Sequence, residues 1–176
     1  MLGILYMVIY VDTYNLALNL FKLCLNKKIK IVTAESCTGG MLASVITDIP
    51  QISKVFDRGF ITYSNQSKIE LLNVSNELLK ANGAVSSEVA VQMARGALMN
   101  SEANIAISIT GIAGPGGATK DKPIGLVYFG IASSTESKDN VVSRKKMFPG
   151  GRKEIRSKAT SYALSILIEF IQNVAY

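Results

Sequence analysis

Strand-like and helix-like segments alternate along this chain, and this alternation constrains the fold more than any other feature. From Val11 to about Leu25, apolar residues recur at the spacing of one helix face. Apolar runs at 29–33, 60–63 and 105–110 have the composition of strands, and segments with helical patterns separate them. Such an order is typical of α/β proteins, in which helices cover both faces of a sheet.

The second half of the chain modifies this picture. Residues 124–133 and 141–148 form two strand-like segments joined by a polar turn, and a last helix follows from Gly150-Gly151 to about residue 174. A hairpin pairs its strands antiparallel, so the sheet cannot be purely parallel. The sequence therefore predicts a single α/β domain with three α/β/α layers and a mixed, mostly parallel sheet.

Length and composition agree with one domain. The chain has 176 residues, of which 48% are apolar, enough for a packed core. Residues 1–10 (MLGILYMVIY) lack the basic start and cleavage site of a signal peptide, so we expect none there. No apolar tract reaches the roughly 18 residues of a membrane span. With two cysteines and no disulfide pattern, we expect a cytoplasmic protein.

The absence of histidine limits the chemistry. It excludes Ser-His-Asp and Cys-His catalysis and every zinc site built on imidazole, so proton transfer must use Lys, Tyr, Asp, Glu or water. We expect no metal and no cofactor. The net charge of +6 suits an anionic ligand. Nucleic acid is a less favoured partner, because tryptophan is absent and aromatic residues make up 7% of the chain.

The segment TAESCTGG (33–40) places a hydroxyl, that of Ser36, at a turn between a strand and a helix. Such a turn directs unpaired backbone N–H groups and the helix dipole at one point, which suits a nucleophile that develops an oxyanion. The spacing differs from the G-x-S-x-G elbow, because Ala34 and Thr38 stand at its glycine positions. A helix cap is the other interpretation of Ser36, and spacing alone favours it.

Three further segments contain candidate residues. Lys68 follows the strand-like 60–63 segment, and a Ser-Lys couple is the way to activate a hydroxyl without histidine, although most lysines are simply solvated. The glycine-rich segment 109–123 could bring backbone N–H groups to an anion or be a surface loop. Arg152 and Arg156 share a face at a helix start, where phosphate binding and solvation are both possible.

These segments occur together and in order, and in this combination the chain resembles the CinA C-terminal domain family, which includes bacterial nicotinamide-nucleotide amidohydrolases. The resemblance covers about residues 12–174. Because residues 1–10 lie outside it, it implies an N-terminal extension at 1–10, with Met7 as an alternative start, and a domain at 11–176. It rests on seven blocks: TAESCTGG (33–40), TDIP (47–50), FDRGFITYSNQSK (56–68), GAVSSEVA (83–90), SITGIAGPGG (108–117), KPIG (122–125) and RxxxRxxAT (152–160).

The resemblance implies an activity and a site. The activity is hydrolytic deamidation of nicotinamide mononucleotide to nicotinate mononucleotide and ammonia by a Ser-Lys mechanism. Ser36 matches the family nucleophile, Lys68 the general base, Tyr63 an assisting tyrosine and Thr110 an active-site threonine. Contacts to the substrate are expected from Glu35, Thr38, Gly39, Gly40, Gly111, Ala113, Gly114 and Arg152.

The family also has members fused to an N-terminal competence-type domain, for which 176 residues leave no room, so we expect a stand-alone enzyme. A homodimer is expected from family habit. The alternative function is that of a non-catalytic, nucleotide-binding protein linked to competence or damage, which would release no ammonia.

Overall fold

The computed structural model describes residues 2–135 and 138–173, with side chains described from residue 12 onward and not for 135, 138 and 139. Six helices and five strands are found in this part of the chain. In order they are α1 (Leu2–Lys27), β1 (Ile31–Glu35), α2 (Met41–Thr47), β2 (Phe56–Ile61), α3 (Asn65–Leu72), α4 (Asn76–Asn82), α5 (Ser87–Met99), β3 (Ile105–Gly111), β4 (Leu126–Thr135), β5 (Lys138–Met147) and α6 (Arg152–Asn173), with a short 3-10 turn at Ile52–Lys54.

The strands form one sheet in the order β2-β1-β3-β4-β5. β1 pairs in parallel with β2 and β3, whereas β4 is antiparallel to both β3 and β5. Four of the five strands therefore run in one direction, and β4 alone runs against them. The parallel register sets Glu35 of β1 opposite Ile109 of β3, so the chain segments that follow these two strands emerge side by side.

Helices cover both faces of the sheet because alternate strand residues point to opposite sides. On β3, Ile105, Ile107 and Ile109 pack into the core beneath α1, α2 and α6, and Ala106 packs on the other face beneath α3, α4 and α5. The three-layer α/β domain with a mixed sheet is thus confirmed. β1 and β3 are buried on both faces, as expected for central strands flanked by helices.

Local boundaries differ from the sequence prediction at two places that matter for the site. β1 extends to Glu35, directly before Ser36, instead of ending at residue 33. β2 spans Phe56–Ile61 and not 60–63, so Tyr63 lies beyond the strand. Ser75 and Ser86 cap α4 and α5, since their hydroxyls accept hydrogen bonds from the backbone N–H groups of Leu78 and Val89.

The first segment is helical in the structure. α1 runs from Leu2 to Lys27 and packs against α6, so residues 2–10 continue the helix predicted from Val11. A domain boundary at residue 11 stays a prediction. Among the described residues, no helix has both the length and the apolar character needed to cross a membrane.

Candidate active site

Ser36 lies in a five-residue turn, 36–40, between β1 and α2. The turn is held at both ends: the Ser36 N–H donates to the carbonyl of Ile109 on β3 at 2.9 Å, and the Gly39 N–H donates back to the Ser36 carbonyl at 3.1 Å. Gly39 and Gly40 have φ values of 58° and 91°, in the left-handed region that glycine adopts without strain. Two glycines therefore let the chain reverse from the strand into the helix within five residues.

Lys68 is the partner of Ser36. It is the fourth residue of α3, a helix that starts after Ser64, whose hydroxyl accepts from the Ser67 N–H at 3.0 Å. Its Nζ lies 3.0 Å from Ser36 Oγ, 2.7 Å from the Thr62 carbonyl oxygen and 3.5 Å from that of Tyr63. The side chain is fully buried, and Ser36 is 8% exposed. The structure thus brings together the two residues that the sequence analysis paired, 32 positions apart.

Burial changes the acid–base character of Lys68. Desolvation disfavours the charged ammonium and lowers the pKa of Lys68 from 10.5 to about 8, against a smaller upward effect from neighbouring Cys37. About a tenth of the molecules then carry a neutral amine at pH 7. A neutral amine has two N–H donors and one lone pair. In the charged form Nζ donates to the Ser36 hydroxyl and to the carbonyls of Thr62 and Tyr63. In the neutral form the two carbonyls can accept both N–H groups, which leaves the lone pair available to the hydroxyl.

Cys37 is the other potential nucleophile in the turn. It is 6% exposed, and burial raises the pKa of its thiol to about 12, so the thiol stays protonated at neutral pH. A protonated, buried thiol is a weak nucleophile. The electrostatics of the turn therefore favour Ser36 over Cys37 as the attacking group.

A cavity of about 270 Å³ opens in front of the Ser36–Lys68 pair. The loop after β3 forms much of its wall, with Ile112 and Ala113 as apolar members, and the segment before α5 contributes Ala84 and Val85. Its lining comprises Ser36, Cys37, Tyr63, Lys68, Ala84, Val85, Thr110, Gly111, Ile112, Ala113, Gly114, Gly116, Gly117 and Arg152. The lining therefore combines apolar side chains with the Ser36–Lys68 pair.

Arg152 and Tyr63 lie together at the rim of this cavity. Arg152, the first residue of α6, donates one guanidinium N–H to the Gly114 carbonyl at 2.8 Å and another to the Tyr63 hydroxyl at 2.9 Å. Tyr63 is 59% exposed. Arg152 thus joins the glycine-rich loop to the segment after β2, and a guanidinium has five N–H groups, so donors remain for a ligand.

Thr110 lies on the cavity wall at the end of β3. Its Oγ1 donates to the carbonyl of Ala84 at 2.8 Å. Since the hydroxyl proton is used in this bond, the oxygen is left as an acceptor toward a ligand.

Four residues expected to contact substrate lie elsewhere. Glu35, at 1% exposure, uses its carboxylate to accept three backbone N–H groups from the last residue of the turn and the start of α2. Thr38 is buried, and Gly39 and Gly40 line a different cavity with α6 residues. Arg156 also faces that second cavity and donates to the Thr38 carbonyl at 2.6 Å, so of the two paired arginines only Arg152 reaches the Ser36 cavity.

Other contributors were missed by sequence reasoning. The carbonyl of Thr62 and the Ala84–Val85 segment act through backbone groups and small apolar side chains, which carry no compositional signal. The block 83–90 belongs to the quoted resemblance, and that is the one signal that could have pointed to it.

Comparison with known proteins decides the family. The model of the CinA C-terminal domain matches residues 13–171. The chain belongs to the CinA C-terminal domain family.

Curated relatives fall into two groups of different length. The nicotinamide-nucleotide amidohydrolase PncC of Escherichia coli K12 is 47% identical over 144 residues, which are 81% of this chain and 86% of that protein. A Caldicellulosiruptor bescii protein described as competence-damage inducible is 53% identical over 141 residues, which are 80% of this chain and 33% of that protein. The chain spans 39% of a similar protein from Caldicellulosiruptor saccharolyticus. It thus corresponds to about a third of these longer relatives and to most of PncC.

Solved structures share the fold. The competence/damage inducible protein CihA of Agrobacterium tumefaciens superposes with a TM-score of 0.87 at 41% identity, over 92% of this chain and 96% of that chain. A CinA superfamily protein from Escherichia coli gives a TM-score of 0.83 at 32% identity, over 91% of each chain. The architecture described above is therefore that of the family.

Proposed function

We propose that this protein is an amidohydrolase that deamidates nicotinamide mononucleotide to nicotinate mononucleotide and ammonia by a Ser-Lys mechanism. The observation that carries the proposal is Lys68: a fully buried lysine, its pKa lowered to about 8, with its Nζ 3.0 Å from the Ser36 hydroxyl. A binding protein needs no such pair, because burying an amine is costly. The similarity to PncC, which spans most of both chains, supports the substrate.

The cavity suits a flat aromatic amide. Apolar side chains of Ala84, Val85 and Ile112 can pack against a pyridine ring, and Ser36 lies where the carboxamide would enter. Thr110 Oγ1, whose proton is committed to Ala84, can accept an N–H of the carboxamide and so orient its carbonyl carbon toward Ser36. We assign Thr110 this orienting role.

The first half-reaction transfers the acyl group to Ser36. Neutral Lys68 takes the proton from Ser36 Oγ, the oxygen forms a bond to the carboxamide carbon, and the carbonyl oxygen takes the negative charge. The C–N bond then breaks, and the departing amine receives the proton held by Lys68 and leaves as ammonia. Deacylation reverses the roles: Lys68 takes a proton from water and the hydroxide adds to the ester. The bond from the acyl carbon to Ser36 Oγ then breaks, Ser36 regains its proton from Lys68, and the acid product leaves and ionises to nicotinate by releasing a proton to solvent.

The oxyanion needs donors near Ser36. Within the turn, the N–H groups of Ser36, Gly39 and Gly40 already donate to protein acceptors. Of the two remaining residues of the turn, Cys37 lines the Ser36 cavity and Thr38 does not, and the glycine-rich loop, which includes Gly116 and Gly117, lines the same cavity. We therefore place the oxyanion between the start of the turn and this loop and not at the α2 N-terminus.

The phosphate is assigned to the rim. Arg152 is fixed there by the Gly114 carbonyl and the Tyr63 hydroxyl, and its remaining N–H groups can bind a phosphate in a charge-assisted way. Tyr63 accepts from Arg152 and lies outside the direct Lys68–Ser36 contact, so its proposed part is to hold the rim and not to abstract the proton.

Ammonia release from nicotinamide mononucleotide, with EDTA present and without ATP, tests the proposal. Wild type is expected to release ammonia and form nicotinate mononucleotide. Ser36→Ala should lose turnover by about a thousandfold or more while retaining ligand affinity within a few-fold by calorimetry, because only the nucleophile is removed. Cys37→Ser is the matched control in the same turn and should stay active. Binding without ammonia release by wild type would instead support the non-catalytic alternative.

A cytoplasmic location and a homodimer also remain predictions. Light scattering of the purified chain measures its mass in solution, and a monomer would contradict the dimer.

A further inference from the structure

We infer that Glu35 is a positioning residue that holds the Ser36 turn in its reactive geometry; this inference rests on the proposed function. Glu35 is the last residue of β1 and directly precedes the nucleophile. Its Oε2 accepts the backbone N–H groups of Gly40 and Leu42, each at 3.0 Å, and its Oε1 accepts that of Ala43 at 2.8 Å. One side chain therefore ties the end of the strand to the start of the helix across the whole turn.

The way α2 is capped distinguishes it from its neighbours. α3, α4 and α5 are each capped by the serine that precedes them, Ser64, Ser75 and Ser86. At the start of α2, Gly40 provides no side-chain cap, and the carboxylate five residues earlier supplies the acceptors. A local cap would satisfy the helix alone. A cap from Glu35 also fixes the separation between strand and helix, and with it the position of Ser36.

The burial of the Glu35 carboxylate is unfavourable in itself, and this supports a functional role for it. Glu35 is 1% exposed, and no described lysine or arginine forms an ion pair with it. A buried carboxylate is unfavourable unless hydrogen bonds fully satisfy it. Here three charge-assisted N–H donors and the helix dipole do so. Glu35 also binds the residue that follows β2 through its backbone, since the Thr62 N–H donates to its carbonyl at 2.8 Å.

That last contact connects both halves of the catalytic pair. Thr62 donates to Glu35 through its N–H and accepts Lys68 Nζ at its carbonyl at 2.7 Å. Glu35 thus directly precedes Ser36 in the chain, and Thr62 links it to Lys68 through one hydrogen bond on each side. It touches neither reacting group directly, so its effect must come through the geometry of the turn.

Glu35→Gln is the informative substitution, because glutamine keeps the size but replaces one acceptor oxygen with an NH₂ group that opposes a backbone N–H. We expect kcat to fall by about tenfold or more, with KM changed by less than about threefold. The apparent pKa of the kcat/KM profile should not move, since Lys68 keeps its burial. Hydrogen exchange at the amides of Gly40, Leu42 and Ala43 should rise.

Ser75→Ala is the matched control: it removes a helix cap on α4, where Ser75 Oγ accepts from the Leu78 N–H at 3.0 Å. Assays are run where circular dichroism shows every variant folded. Ser75→Ala should lose thermal stability and keep kcat. If Glu35→Gln keeps wild-type kcat, or if its kcat falls only in proportion to a loss of folded protein, the positioning role is wrong. If wild type itself releases no ammonia, the proposed function fails. Separately, unchanged hydrogen exchange at Gly40, Leu42 and Ala43 in Glu35→Gln would show that the Glu35 side chain does not hold the start of α2 in place.

Discussion

Lys68→Met isolates the energetic consequence of burying an amine beside Ser36. In the native protein the pKa of Lys68 is about 8, whereas in the unfolded chain it returns to 10.5. Below pH 8 the amine is charged in both states, and the native state bears the full desolvation penalty. Above pH 10.5 it is neutral in both, and the penalty has vanished. Wild-type stability should therefore rise with pH through this window, whereas Lys68→Met has no such group.

The size of the effect follows from proton linkage. Between pH 8 and 10.5 the unfolded chain binds one more proton at Lys68 than the native protein. The free energy of unfolding of wild type should then rise, relative to that of Lys68→Met, by about 1.4 kcal/mol for each pH unit. Urea unfolding of both proteins at pH 7.5, 8.5, 9.5 and 10 measures the difference, because titration of all other groups is common to both. A stability difference that stays constant across this range would refute the lowered pKa.

The same pKa predicts the pH dependence of the rate. In the proposed mechanism the neutral amine of Lys68 is the base, so kcat/KM of wild type should increase about a hundredfold from pH 6 to a plateau above pH 8. Lys68→Arg should be inactive, because arginine keeps the charge and cannot accept a proton. A rate that falls above pH 8, or substantial activity in Lys68→Arg, would show that residue 68 acts as a charged donor.

Two further substitutions test the rim and the packing. Arg152→Ala should weaken binding of nicotinamide mononucleotide by roughly 1.5–3 kcal/mol and change turnover of free nicotinamide less. Calorimetry measures the binding and ammonia release measures the turnover, with Arg144→Ala, at an exposed position, as the control. Equal losses on both substrates would contradict a phosphate role. Gly96→Ala should lower the free energy of unfolding by roughly 1–3 kcal/mol, because its Cβ would overlap the Leu72 backbone. Gly116→Ala is the control and should be tolerated, because its Cβ meets no described atom within 4 Å. Equal melting temperatures of the two variants would show that α3 and α5 can separate without cost.

Much of the architecture could be predicted from the sequence because it depends on local patterns. Strand and helix periodicity and the hairpin near the end of the chain depend on residues that are close in sequence. The boundaries of β1 and β2 were less accurate, because the strand ends are set by pairing with neighbours far away in sequence. The pairing of Ser36 with Lys68 came from motif and resemblance, and the structure places the two atoms in contact.

The tertiary structure decided the pKa of Lys68 and the hydrogen-bond partners of the polar residues. Nothing local distinguishes Lys68 from a solvated helix lysine; its burial between α3 and the strand ends lowers its pKa. Likewise, the carboxylate of Glu35 meets backbone N–H groups of α2, and Arg152 and Arg156 face different cavities, because of contacts that the fold creates. Sequence therefore determined which chemical groups are present and in which elements, whereas desolvation and hydrogen-bond partners, which depend on contacts distant in the chain, required the fold.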